Sequence, residues 1–250
     1  MDFKELIVEY PDTLPADLCD RLIEKFEKDR HHQVSGISAM GRASTAKIST
    51  DINFSRFVDE DEEWRALDSE VFECFGSKVS EYLQHLTDSF GYEIASPDVE
   101  DTGYQIQRTT PEGRYIWHTD DSTSIIANAT AHPTEVQGHL AWYARRFATY
   151  IFYLNDQEGN FEGGLTQFKT GPGEIVEVVP ERGKLIMFPA NGLYPHQGCE
   201  VTKGSKYLAT GWLRDLFVST IEFSHSQTPK LNRIFTEEFG AELSKWRTVE

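Results

Sequence analysis

At 250 residues the chain is long enough to build one domain around a substantial core. Its 24 Lys+Arg against 41 Asp+Glu give a formal charge of -17, which argues against a nucleic-acid backbone or an anionic membrane surface as partner. Cys19, Cys74 and Cys199 lie far apart with no C-x-x-C spacing, and the chain shows neither a basic-then-apolar N-terminal pattern nor an apolar run of membrane-spanning length. Free thiols in a cytoplasmic, non-membrane protein are expected.

The first predicted element is a helix over 15–30, with Pro15 in its first turn and Leu18, Leu22, Ile23 and Phe26 forming an apolar stripe. The Ser-, Gly-, Ala- and Thr-rich stretch 35–55 reads as a loop with a short strand around 52–54. From 61 to 90, Trp64, Leu67, Val71, Phe75, Val79, Tyr82 and Leu86 recur at steps of three and four, which predicts a long amphipathic helix lying on a core. After Pro97 the texture changes to short β-branched and aromatic runs, with predicted strands at 104–108, 115–119, 147–154, 165–169, 174–179, 184–188 and 206–213. Turn residues in 155–164, 171–173 and 180–183 separate them. A last helix is predicted from Thr228, with Pro229 in its first turn. Many short strands in series point to an antiparallel sandwich or barrel of the jelly-roll kind. The fold class is therefore α+β, mainly β. The expected partition is an N-terminal helical support (1–98), a β core (99–218) and a C-terminal strand and helix extension (219–250).

The chemistry-bearing pattern is His118-Thr-Asp120, joined much later by His196 and Lys206. On a strand, residues two apart share a face, so Ile116, His118 and Asp120 are expected to project together. Two imidazoles and one carboxylate make a facial triad that holds non-haem Fe(II) with coordination positions to spare. An isolated H-x-D triplet arises easily by chance on an acidic surface, and the weight comes from the later residues. Lys206, Leu208, Thr210, Trp212 and Arg214 share one strand face, and a lysine heading a mostly apolar face needs a partner for its charge. A dianionic cosubstrate would supply one, with Tyr153 and Thr166 able to donate hydrogen bonds to the same carboxylate.

The ordered set His118-x-Asp120, Tyr153-Leu-Asn, Gly163-Gly-x-Thr166, Leu185-Ile-Met-Phe-Pro189, His196-x-Gly198, Lys206-Tyr and Trp212 resembles the iron- and 2-oxoglutarate-dependent dioxygenases, in particular their prolyl 4-hydroxylase-like branch. The resemblance covers roughly residues 100 to 215. It implies a double-stranded β-helix (jelly-roll) core with supporting N-terminal helices and a C-terminal helix. It further implies that His118, Asp120 and His196 bind iron and are the catalytic centre, that Lys206 pairs with the distal carboxylate of 2-oxoglutarate, and that Tyr153 and Thr166 assist. The activity implied is hydroxylation of an unactivated C–H with Fe(II), 2-oxoglutarate and O2, releasing succinate and CO2. An amino-acid-containing substrate is expected, either a peptidyl residue such as proline or a free amino acid or small metabolite.

Two features bear on the substrate. Arg108 stands ten residues before His118, where relatives often carry a tyrosine, and if it faces the pocket it can bind a small substrate's carboxylate. Trp212 is the second candidate substrate contact. The segment 121–146, which holds His132, His139, Trp142, Arg145 and Arg146, is longer than the simplest relatives need and is the candidate for a substrate-contacting lid or a plain surface insertion. Competing readings are a non-catalytic jelly-roll module that keeps a metal or ligand site, and a cupin-type enzyme using another metal.

Overall fold

Sixteen strands and two α-helices carry the described chain in the computed structural model, which describes residues 2–36, 45–91, 99–128 and 139–221, with the backbone alone at 123–128, 139–144 and 216–221. In chain order the elements are β1 (Val8–Tyr10), α1 (Ala16–Lys28), β2 (Val34–Ser35), β3 (Lys47–Ile48), β4 (Thr50–Asn53), α2 (Glu62–Phe90), β5 (Val99–Asp101), β6 (Gln105–Thr109), β7 (Arg114–His118) and β8 (Thr123–Asn128). They continue with β9 (His139–Tyr153), β10 (Phe161–Gly163), β11 (Thr166–Gly171), β12 (Glu174–Val178), β13 (Leu185–Pro189), β14 (His196–Gly198), β15 (Val201–Gly204) and β16 (Lys206–Ile221). The described chain forms two units, Met1–Ser124 with Ala144–Phe217, and Ile125–Tyr143 with Val218–Glu250. The second contributes the strand backbone at 125–128, 139–143 and 218–221.

Local chemistry explains the helices. Asp61 caps α2 by accepting hydrogen bonds from the Glu63 and Trp64 amides, Glu62 and Glu63 complement the positive end, and Gly91 closes the helix in the left-handed region at φ 71°. Its apolar side, Trp64, Leu67, Val71, Phe75, Tyr82 and Leu86, is buried as the spacing predicts. The predicted helix from Thr228 lies outside the described residues. Among the described residues no helix is long and apolar enough to cross a membrane.

The strands form two antiparallel sheets and a small pair. The larger sheet runs β1-β13-β9-β16-β6-β4-β2, with β5 also on β16 and β8 on β9; the smaller runs β12-β11-β14-β7-β3; β10 pairs with β15. This is the expected jelly-roll class. Strand alternation then sorts the side chains of the larger sheet. Tyr150 and Phe152 of β9 and Tyr104 before β6 cluster with Phe75 of α2, and Tyr104 stacks on Phe54, which stacks on Trp64. Ile106 and Ala209 are buried with them. The intervening residues, Thr149 and Ile151 of β9, Gln107 and Thr109 of β6, and Lys206, Leu208, Thr210 and Trp212 of β16, line a cavity on the other side. Register keeps these sets in phase, since Lys206 pairs with Thr109 and Leu208 with Gln107.

One expectation changes here. Most of the segment 121–146 that reads as an insertion is paired strand, 123–128 and 139–146, and 129–138 lies outside the described residues. The β-branched and aromatic residues of that stretch extend the sheet instead of forming a long loop.

Candidate active site

The smaller sheet supplies both histidines. His118 at the end of β7 and His196 at the start of β14 are direct partners in the antiparallel register, with ring centroids 4.1 Å apart. Each Nδ1–H donates to a backbone carbonyl two residues earlier, His118 to Ile116 (2.8 Å) and His196 to Tyr194 (3.1 Å). That leaves each Nε2 with its lone pair free. Both point at Asp120, His118 Nε2 at 3.7 Å from one oxygen and His196 Nε2 at 3.6 Å from the other. These separations exceed a hydrogen bond, and the three ligand atoms lie within 4.8 Å of one another, the spacing of groups that share one ion.

Asp120 lies past the end of β7, so strand alternation does not place it. A contact from the other sheet does: Thr149 Oγ1 of β9 donates to Asp120 Oδ2 at 2.8 Å. Burial alone would push the Asp120 carboxyl up, but His196, His118, the Trp212 indole and the Thr149 hydroxyl hold it below the ordinary value. Burial and the neighbouring His196 push His118 down to about 4, which keeps its imidazole neutral at neutral pH. Tyr115 stacks on His118 with centroids 3.5 Å apart, and burial raises its phenol to about 12.

Lys206 lines the same cavity, which has a volume of about 80 Å³ and is also lined by His118, Asp120, His196, Thr166 and Trp212 among others. Its ammonium is buried, hydrogen-bonds to the Gly164 carbonyl and sits 5.2 Å from the centroid of the Tyr153 ring. No carboxylate pairs with it among the described residues, and burial lowers its pKa to about 8. Tyr153 Oη donates to Thr166 Oγ1 at 2.7 Å, and burial raises the phenol well above its ordinary value, so it remains a donor. Gly164, at φ 68°, brings the chain close to Lys206; a Cβ there would sit 3.1 Å from the lysine Cδ. The geometry thus gathers His118, Asp120, His196, Lys206, Tyr153, Thr166 and Trp212.

Arg108 does not join them. It lies on the opposite face of β6 from Gln107 and Thr109, with its guanidinium held at 2.8 and 2.9 Å by the Glu27 carboxylate of α1 and packed over Phe26. The alternation that sends Gln107 to the cavity sends Arg108 to the helix layer. Residues that the sequence reading passed over are Thr149, Tyr115 and Lys47, the last buried beside the cavity and paired with Asp51 at 2.7 Å. Thr149 carried a signal, since it stands two pairs before Tyr153 and shares its strand face.

Residues 104–214 match the model of the 2OG-Fe(II) oxygenase superfamily. That match takes in 111 of the chain's 250 residues. Among curated proteins, Probable prolyl 4-hydroxylase 9 of Arabidopsis thaliana is 33% identical over 91 residues, covering 29% of this chain and 31% of that protein. Prolyl 4-hydroxylase 1 of the same plant is 34% identical over 87 residues, covering 28% and 30%. The chain therefore spans under a third of the length of the curated relatives it matches. Solved structures share the fold. A viral collagen prolyl hydroxylase from Paramecium Bursaria Chlorella virus-1, complexed with 2OG, aligns with TM-score 0.55 and 21% identity over 84% of this chain and 96% of that one. A Trichoplax adhaerens prolyl hydroxylase in complex with a hypoxia inducible factor peptide aligns with TM-score 0.56 and 15% identity over 84% of each chain. A Pseudomonas putida prolyl-4-hydroxylase aligns with TM-score 0.55 and 16% identity over 84% and 92%.

Proposed function

We propose that this protein is an Fe(II)- and 2-oxoglutarate-dependent dioxygenase that hydroxylates an unactivated C–H of a peptidyl prolyl or other amino-acid residue. The carrying observation is that one cavity is lined by both the His118–Asp120–His196 cluster and a buried lysine that has no carboxylate partner among the described residues. The cluster fits a divalent iron: its two Nε2 lone pairs are free, its Nδ1 atoms are anchored, and its carboxylate is fixed by Thr149. His118, Asp120 and His196 would hold the ion. Iron bound there supplies the redox chemistry that couples 2-oxoglutarate and O2 to C–H oxidation.

The balance is one C–H, one 2-oxoglutarate and one O2 converted to one C–OH, one succinate and one CO2. Lys206 binds the distal carboxylate of 2-oxoglutarate, a buried cation meeting an anion that repays its desolvation. Tyr153 and Thr166 orient that carboxylate through hydroxyl donors, which fixes the opposite end of the cosubstrate toward the histidines. Trp212 and Leu208 wall the cavity and keep water from the reacting carbon. The names of the similar proteins support a prolyl residue as target. With Arg108 tied to Glu27, the residue that favoured a free amino acid drops out. Free Cys19, Cys74 and Cys199 support a reducing, cytoplasmic setting.

The test is succinate formation by anaerobically prepared, Fe(II)-loaded protein after admission of oxygen, with and without proline peptides. Iron-dependent succinate that rises with a peptide is expected, together with loss of iron binding and turnover in His118→Ala. Retention of both in folded His118→Ala would sink the metal assignment.

A further inference from the structure

A second cavity, of about 300 Å³, adjoins the first, and Thr210 and Trp212 line both. Its character differs from the rest of the molecule. In a chain of net charge -17 it is lined by Arg56, Arg146 and Arg214, with Asn53 and Gln105 beside them. The guanidinium of Arg146 lies 3.5 Å over the Trp212 ring, and neither Arg146 nor Arg56 has a hydrogen-bonding or ion-paired side-chain partner among the described residues. Arg214 reaches Glu100 through one nitrogen, while its Nε is buried with no hydrogen-bond partner. Asn53 Oδ1 is likewise buried without one.

Clustering like charges is unfavourable, and a partly buried guanidinium without a direct ion pair adds a desolvation cost. The nearby carboxylates answer this only in part. Glu100 pairs with Arg214, Asp68 accepts the Ser55 hydroxyl, and Asp120, which attracts Arg146 through space without a direct ion pair, is shared with the two histidines. Planar, stacked guanidinium groups in a pocket are suited to a carboxylate, which accepts their paired N–H groups. Through Thr210 and Trp212 the two cavities share a wall, so a group seated here is next to the space that the His118–Asp120–His196 cluster lines.

We propose that this arginine-lined cavity is a substrate subsite for a carboxylate, so that the reacting C–H is presented over Trp212 by an anchor carrying negative charge. The inference rests on the oxygenase reading for calling the occupant a substrate, while the site's charge preference stands independently of turnover. The carboxylate can belong to an acidic residue flanking the target in a peptide or to a small free acid, and the two sources are separable.

The experiment measures binding by calorimetry, and succinate formation in parallel, for the Fe(II)- and 2-oxoglutarate-loaded protein. One set of probes is end-capped proline pentapeptides differing only in Glu, Gln or Lys beside the proline; the other is free proline against prolinamide. Preference for the Glu peptide, or for free proline over its amide, by about tenfold is expected, with the responding set identifying the source. The preference should collapse in Arg146→Gln and weaken in the exposed Arg56→Gln, and Arg146→Lys should restore part of it. Equal affinity across each set, binding of no probe, or a preference unchanged in both Gln variants would overturn the subsite. Succinate raised equally by acidic and neutral probes leaves the oxygenase reading standing and the subsite refuted. Charge-selective binding lost in Arg146→Gln, without succinate from any probe, does the reverse.

Discussion

Lys206 ties the proposed cosubstrate site to the stability of the fold. Its ammonium is buried, and desolvation lowers its pKa to about 8 from the ordinary 10.5. The folded state therefore binds this proton less readily than the unfolded chain does. The contribution to stability is present above pH 10.5 and is lost as pH falls through 8. Replacing the lysine by a well-packed apolar side chain removes the unpaired charge, so ligand-free Lys206→Met should be more stable at pH 7 by about 1–4 kcal/mol. Its unfolding free energy should also lose the rise between pH 8 and 10.5. The cost falls on the cosubstrate: 2-oxoglutarate affinity in the native protein should decline as pH rises above 8, whereas Lys206→Met should bind weakly at every pH. Denaturant titrations and 2-oxoglutarate binding at several pH values check this. An affinity independent of pH in the native protein would place the anion elsewhere.

At the scale of elements, β9 and β16 do two jobs through alternation. Even-numbered positions of β9 (Tyr150, Phe152) and odd-numbered positions of β16 (Ala209, Gly211) pack toward the helices, and the others face the cavity. Gly211 is needed for this fit: a Cβ there would lie 2.2 Å from Tyr150 Oη and 2.4 Å from the Gly103 carbonyl, across the very contact in which Tyr150 donates to Gly103 at 3.0 Å. Gly211→Ala must push these apart and should lower stability by about 1–3 kcal/mol. It should also weaken 2-oxoglutarate binding, because Thr210 and Trp212 on either side line the site. A denaturation midpoint equal to that of the native chain would show that Tyr150 swings away at no cost. Arg108 belongs to the same scale. Its role as a substrate contact required it to share a face with Thr109, and a strand forbids that for adjacent residues.

For the molecule as a whole, the site joins two sheets. His118 and His196 come from the smaller sheet, Thr149 and Lys206 from the larger, and Asp120 bridges them. Ligands that bind across the sheets should resist their separation. Fe(II) and 2-oxoglutarate, each at 100 times its dissociation constant, should each stabilise the native state by about 2.7 kcal/mol. That corresponds to a combined rise in Tm of roughly 10–20 °C for a domain of this size. Lys206→Met should keep the iron increment and lose most of the other, while His118→Ala should lose both. A scanning calorimetry trace that ignores both ligands in the native protein would contradict the bridging role.

Periodicity and spacing by themselves encode the long helix from the steps between Trp64 and Leu86, the strand series after Pro97, and the residue set His118-x-Asp120, His196 and Lys206 that the fold brings to one cavity. Those signals are local, or rest on ordered residue types that few chemistries share. Tertiary structure alone decided which face of each strand meets the cavity, because alternation assigns two faces without saying which is covered by helices. It therefore turned Arg108 to Glu27, brought Thr149 from the opposite sheet to Asp120, and placed Arg56, Arg146 and Arg214 around one space. These residues lie far apart in the chain, and only sheet register makes them neighbours.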